Sequence, residues 1–564
     1  MSRSTTFRKL TRTIRIALYC EENKISTCEG LEQVAKLESD EYRISRRRFI
    51  AATGKLALVA ALGSAALPID RAFAAPPGTS ASIGIVGAGL AGLACCYELK
   101  KNGINATLYE ATNRVGGRCA SLAGFFPDQV AELGGEFIDN LHKTLLGYVK
   151  EFKLQVEDVE KAPGEVFYYF KGRHIPESKV VDEFRALVPA MHEDLRKLTP
   201  PTADNYTADD VKLDYTNLKD YLESRGAGEI IKAAINEAYV AEYGLEIEQQ
   251  SCLNFLLFIH ADRRSKFRPF GIFSDERYHV IGGNQQIAEG LSMRLGSQIK
   301  SEMRLIKARK TSAGQIELTF RQGMTVHVCK ECHGTASGKA GDSGSSTTSS
   351  VVHDAVVFAI PFSVLREVDI AGLELPSYKL QAINELVYGT NAKMMIGFNN
   401  RPWIALGSNG TSYSDLENHQ TTWETNPANA TDRHAVITDY SGGTRGAKLD
   451  PLQAQKEAEL FLKDLDRVYP GAYTAASHDE KGHLRVRLAH WPSIPFTKGS
   501  YTCPHPGYFT TIAGNEQKPA GNIHFAGEHT NSFYEWQGFM EGAALSGIQA
   551  ANEILKDVMN GRLP

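Results

Sequence analysis

Two patterns of hydrophobic positions alternate along this 564-residue chain. Short, unbroken apolar runs mark strands covered on both faces, and recurrences every three or four residues mark amphipathic helices. The first pattern opens after Ser82, where Ile83, Ile85 and Val86 make a strand. A helix follows, running on through Leu93, Tyr97 and Leu99, and "ATLYE" then reads as a second strand ending at Glu110. "DAVVFAIP" (Asp354 to Pro361) is almost wholly apolar and stops at a proline, which predicts a buried parallel strand. The helical pattern is clearest from Val180 to Leu198 and from Leu452 to Tyr469. Strand–helix–strand succession of this kind predicts an α/β fold with a parallel sheet.

The first 74 residues stand apart from this pattern and are expected to lie outside the core. "SRRRFIA" (Ser45 to Ala51) has the form of a twin-arginine export signature. The uncharged stretch Leu56 to Ile69 is too short to cross a ~30 Å hydrocarbon layer as a helix. Ala72-Phe73-Ala74 then supplies the small-x-small pattern that signal peptidase accepts. The competing reading is a basic helix lying on a membrane surface. An export signal is the reading adopted, with cleavage near Ala74 and a periplasmic or secreted product; nothing in residues 1–44 indicates a role.

Composition changes the picture little. Apolar residues at 42% and charged residues at 23% are ordinary for a soluble globular protein, and the length predicts two domains. Residues 1–74 hold 13 of the 62 Lys and Arg and 8 of the 66 Asp and Glu, so the remainder carries a formal charge near −9. That balance argues against nucleic acid as a partner and mildly favours cationic ligands. Seven of the nine cysteines remain, scattered, with no evident disulfide framework.

Candidate chemistry begins at the first turn. Gly87, Gly89 and Gly92 fill the G-x-G-x-x-G positions between strand and helix. The first allows the tight turn, the second lets the backbone approach a pyrophosphate, and the third lets helix and strand pack closely. Free N–H groups at the helix start favour the phosphates. Glu110 is placed to accept hydrogen bonds from ribose hydroxyls and to repel a 2′-phosphate. "RVGGRCASL" (Arg114 to Leu122) adds Gly117 and the cation Arg118, which suit a pyrophosphate that stays bound through turnover. "AELGGEFID" (Ala131 to Asp139) follows, with Gly134 and Gly135.

With these motifs in this order the chain resembles the flavin amine oxidases, the monoamine, polyamine and L-amino acid oxidases, from about Ser82 to Leu555. The resemblance implies an α/β FAD-binding, Rossmann-like domain interleaved with an α+β substrate-binding domain. The FAD domain would comprise 82–150, 270–362 and 495–558, and the substrate domain 151–269 and 363–494. It further implies that Leu305 covers adenine, Trp491 lies near the ring, Glu528 of "AGE" (after Gly527) contacts the FAD chain, and the Met540 N–H binds the ring edge. Tyr501 and Phe539 would form an aromatic cage, and Lys393 would hold a water at flavin N5. Ser500 stands where some relatives carry a flavin-bonding Cys, so FAD would be non-covalent. The implied reaction oxidises an aminated carbon with O2, releasing a carbonyl product, ammonia and H2O2.

Substrate identity is less determined. Amino acid oxidases of this kind carry an Arg spaced L-G-x-x-R; here Leu133-Gly134-Gly135-Glu136 leads to Phe137. Glu136 and Asp139 are candidates to attract a distal ammonium, against the reading of a solvated loop. An amine is favoured over a basic L-amino acid. The alternatives are a flavin desaturase of apolar polyenes, which would lack the cage and Lys393, and a non-catalytic flavoprotein.

"CKECH" (Cys329 to His333) spells a c-type haem attachment site. It adjoins the low-complexity tract 334–350, which predicts a flexible loop, and nothing local offers a haem wall. A surface CxxC is favoured, a Zn site lacks a fourth ligand, and no metal is predicted. The expected partners are a small-molecule amine or amino acid, O2 and the export machinery, with a homodimer left open.

Overall fold

The computed structural model describes residues 5–34, 80–159, 164–260, 276–322, 347–426 and 434–564. Cys329, Cys332 and His333, the twin-arginine segment and residues 334–346 lie outside them.

A five-stranded parallel sheet forms one half of the molecule. Its order is Ile523–Phe525, Ala355–Phe358, β1 (Ile83–Val86), β2 (Thr107–Tyr109) and Ile299–Lys300. All four residues of β1 and all four of Ala355–Phe358 are buried, as the unbroken apolar runs require of a sheet covered on both faces. Helix α1 (Thr5–Asn23) belongs elsewhere, but α2 (Leu90–Lys101) makes the crossover from β1 to β2. Against α2 lies the final long helix, Met540–Met559. They approach so closely that a Cβ on Gly547 would sit 2.1 Å from the Ala91 carbonyl oxygen, so small residues are required at the crossing.

The other half is built on a seven-stranded sheet. Its order is Val486–His490, β3 (Ala392–Phe398), β5 (Ala435–Ser441), β4 (His419–Glu424), Ser408–Leu416, Glu165–Phe170 and Arg173–Ile175. Helix α3 (Glu177–Lys197) buries Val180, Val181, Phe184, Leu187, Val188 and Met191, the stripe read from the sequence. Helix α4 (Glu229–Tyr243) packs beside it.

Two expectations are corrected. Residues 5–34 were expected outside the core, yet Leu10, Ile14, Ala17 and Leu18 are buried in the same apolar cluster as Phe184, Leu187 and Tyr239. The amphipathic spacing of α1 buries this face against α3 and α4. The flexible loop was placed through Ser350, but Thr348–His353 is a strand that pairs antiparallel with Ile316–Gln322. Backbone pairing needs no apolar side chains, so low complexity did not prevent it.

Candidate functional site

A cavity of about 640 Å³ runs from the end of β1 to the face of β3. Its first part is a cradle of backbone. Gly87 takes φ +102°, and a Cβ there would lie 2.7 Å from the Ala359 carbonyl oxygen. A Cβ on Gly92 would lie 1.9 Å from the Gly87 carbonyl oxygen, so this glycine serves the packing of α2 on β1. Gly89 differs: it is the N-cap of α2, with nothing within 4 Å of a Cβ, and it lines the cavity. The backbone therefore leaves beside the open N–H groups of α2 a space that a side chain would fill, and a phosphate group fits it.

Glu110 lines the same cavity and closes the turn: its carboxylate accepts from the Ala88 N–H at 2.9 Å and from the Thr112 N–H at 2.9 Å. A Cβ on Gly117 would lie 3.3 Å from the Gly89 Cα. Arg118 donates to Glu528 at 2.8 Å and to the Ser500 carbonyl at 2.5 Å, and Thr502 donates to the other Glu528 oxygen at 3.1 Å. Leu305, Trp491, Gly527 and Met540 also line the cavity. The Trp491 indole N–H is held by the Leu133 carbonyl at 2.9 Å, and a Cβ on Gly135 would meet Met540 Cγ at 2.7 Å. Of the sequence-predicted cofactor residues only Gly92 is absent from the lining.

At the far end the lining turns aromatic and charged. Lys393 sits on β3, between β5 and Val486–His490, and is only 6% exposed. Its Nζ donates to Glu136 Oε2 at 2.6 Å and to the Gly134 carbonyl at 2.7 Å, and lies 5.6 Å from the centre of the Trp423 ring. Trp423 donates to the other Glu136 oxygen at 2.9 Å. Glu136 lines the cavity, is 5% exposed and is ion-paired with Lys393, so it is not part of a solvated loop. Asp139 is fully buried and off the lining; it accepts from the Leu141 N–H at 2.7 Å.

Phe137, Tyr501 and Phe539 all reach the lining. Tyr501 donates to the Glu242 carbonyl at 2.5 Å, which leaves the Tyr440 hydroxyl, 2.6 Å away, to donate to Tyr501. Phe539 is the N-cap of α5 (Met540–Met559), its ring edge-on to His142 at 5.4 Å and to Trp536 at 5.6 Å. Burial pushes the His142 imidazole down to about 3, so it stays neutral against the two rings. Glu132, beneath Lys393, is pushed up to about 7 by burial, against hydrogen bonds from the Asn284 N–H and Ser121.

Trp423, Tyr440 and Asn391 also line the site and were not singled out from sequence. Asn391 donates to the Ala241 carbonyl and accepts from Ser500 at 2.6 Å. The signal for Tyr440 lies in strand register alone: it pairs directly with Lys393 across β3 and β5.

The family described as "Flavin containing amine oxidoreductase" matches residues 90–555. YobN of Bacillus subtilis, provisionally named an L-amino-acid oxidase, is 24% identical over 83% of this chain and 94% of its own length. Amine oxidase [flavin-containing] B of Mus musculus is 24% identical over 85% of this chain and 86% of its own. Among solved structures, cyclohexylamine oxidase from Brevibacterium oxydans superposes with a TM-score of 0.68 at 18% identity, covering 85% of this chain and 99% of that one. Putrescine oxidase bound to putrescine superposes with a TM-score of 0.67 at 19% identity, over 84% and 99%. The fold is therefore that of an amine oxidase, family membership implies a flavin cofactor, and the chain belongs to the flavin-containing amine oxidoreductases.

Proposed function

We propose that this protein is an FAD-dependent oxidase of a small amine, with a basic L-amino acid as the second substrate class. The observation that carries the reading is a single cavity holding both the Gly87–Gly89 phosphate cradle and the Lys393, Tyr501, Phe539 end. Flavin held there would supply the redox chemistry, a two-electron oxidation of the carbon bearing the amine with O2 as the acceptor: a hydride from that carbon and a proton from the nitrogen account for the H2O2 and leave an imine, which water hydrolyses to a carbonyl compound and ammonia.

The protein's own groups position and shield. The Gly89 backbone, the N-terminus of α2 and Arg118 hold the pyrophosphate, and Glu110 the ribose. Ser500 offers no thiol, so the cofactor is held without a covalent bond. Tyr501 and Phe539 present ring faces to the amine and keep water from it. Lys393 keeps a fixed positive charge beside the reacting centre, where charge develops as O2 is reduced.

An amine is favoured because Phe137 stands where a carboxylate-binding Arg would be. Of the lining cations, Arg114, Arg118 and Arg304 belong to the nucleotide end and Lys393 is paired with Glu136. The twin-arginine signature supports export, with the enzyme working in the periplasm or outside the cell. The test is H2O2 release from the yellow, flavin-loaded protein across primary amines, diamines and L-amino acids. Peroxide from none of them, with flavin bound, refutes the reading.

A further inference from the structure

The N-terminal segment that precedes the twin-arginine signature is built into the substrate half of the molecule. From α1, Leu10, Ile14, Ile16, Ala17, Leu18 and Cys20 are at most 6% exposed, and Val34 ends the segment fully buried. Their apolar neighbours lie on α3 and α4.

Polar contacts seal both ends of this interface. Arg12 and Thr13 both donate to Glu177 at 2.8 Å, and the Thr13 hydroxyl lies 3.2 Å from that of Tyr168. Arg185 donates to Glu21 at 2.6 Å and to Thr27 at 2.9 Å, and Thr27 donates to Asp182 at 2.5 Å. Apolar burial flanked by specific ion pairs is the composition of a docked interface, not of a passing contact.

The groove beneath has a bearing on the site. The end of α4 presents three carbonyls to cavity elements: Ala241 to Asn391, Glu242 to Tyr501 and Gly244 to the Thr390 N–H at 2.8 Å. Helix α1 packs against that helix.

We propose that residues 5–34 are a resident clamp of the working protein, and that they stay in this groove as a separate peptide when the chain between Val34 and Ser80 is cut. This rests on the packing alone and not on the amine oxidase reading.

The test inserts one site for a specific protease between residues 35 and 79 of the full chain, cuts it, and passes the product through a native sizing column. Denaturing mass spectrometry of the enzyme peak should find the N-terminal peptide in one-to-one ratio; a peptide eluting by itself overturns the proposal. In the Ile14→Asp, Ala17→Asp double variant the peptide should be lost after cutting, and retention there overturns binding through the apolar face. Hydrogen exchange on the uninserted chain is independent of the engineering. Amides of residues 10–20 as slow as those of α3 support the clamp, and free exchange refutes it.

Discussion

Removal of either member of the Glu136–Lys393 pair should cost far more than removal of both. The two side chains are 3% and 7% exposed and 2.6 Å apart, so each is an uncompensated buried charge without the other. At an effective dielectric of about 20 the attraction is about 6 kcal/mol, most of which offsets the desolvation of the two ions. Breaking such a pair costs about 3–5 kcal/mol, whereas replacing both partners is often close to neutral. Lys393→Met leaves Glu136, among the described residues, with the Trp423 N–H as its side-chain donor, and Glu136→Gln leaves the ammonium with neutral acceptors, the amide oxygen and the Gly134 and Glu132 carbonyls, and no counter-charge. With an unfolding entropy of about 2.1 cal/mol/K per residue, a cooperative unit of about 500 residues loses roughly 1 °C per kcal/mol. Each single variant should therefore melt about 3–5 °C lower, and the Glu136→Gln, Lys393→Met double variant within about 2 °C of the parent. Scanning calorimetry on the four proteins at equal flavin occupancy completes the cycle. Additive losses, or singles that melt with the parent, would show that the pair is not coupled and that the reasoning fails.

Other consequences follow from single residues. Gly89→Ala should leave the melting temperature nearly unchanged while lowering flavin affinity at least about tenfold, because its Cβ enters only the cavity. Gly92→Ala should instead destabilise the fold by about 3 kcal/mol or more, since its Cβ meets a backbone oxygen; flavin titration and calorimetry separate the two. Glu132, with its folded value raised to about 7 from 4.5, contributes stability that is full below pH 4.5 and lost as pH rises through 7. The melting difference between parent and Glu132→Gln should accordingly move against the parent from pH 5 to pH 8, by on the order of 3 kcal/mol, and a flat difference refutes the assignment. Tyr440→Phe removes the hydroxyl that donates to Tyr501 and should lower kcat/KM no more than about tenfold, with little change in stability.

The cofactor cradle was legible because its requirements are local. Gly87 needs its positive φ and Gly92 its clearance from the Gly87 carbonyl within one turn of chain, and an all-buried parallel strand shows itself as the unbroken run at Ala355–Phe358. The spacing of Leu10, Ile14, Ala17 and Leu18 is that of an amphipathic helix, but the export signature after it points to a boundary of the fold beyond it, and the burial of this face shows only in the structure. Lys393 could be found by its neighbours in sequence, yet its partners could not. Trp423, Tyr440 and Glu136 come from two strands and a loop far from it along the chain, and Lys393 meets Tyr440 only through the pairing of β3 with β5. A backbone hydrogen-bond ladder has the same form in any register, so which side chains share a face is decided by the packing of the whole sheet. By itself, the sequence determined where the first turn requires glycine, that Ala355–Phe358 is covered on both faces and what kind of cofactor the turn admits. Only the tertiary structure decided that Glu136 is paired with Lys393, and that the first helix is part of the body, because both depend on charges and apolar faces that distant segments bring together.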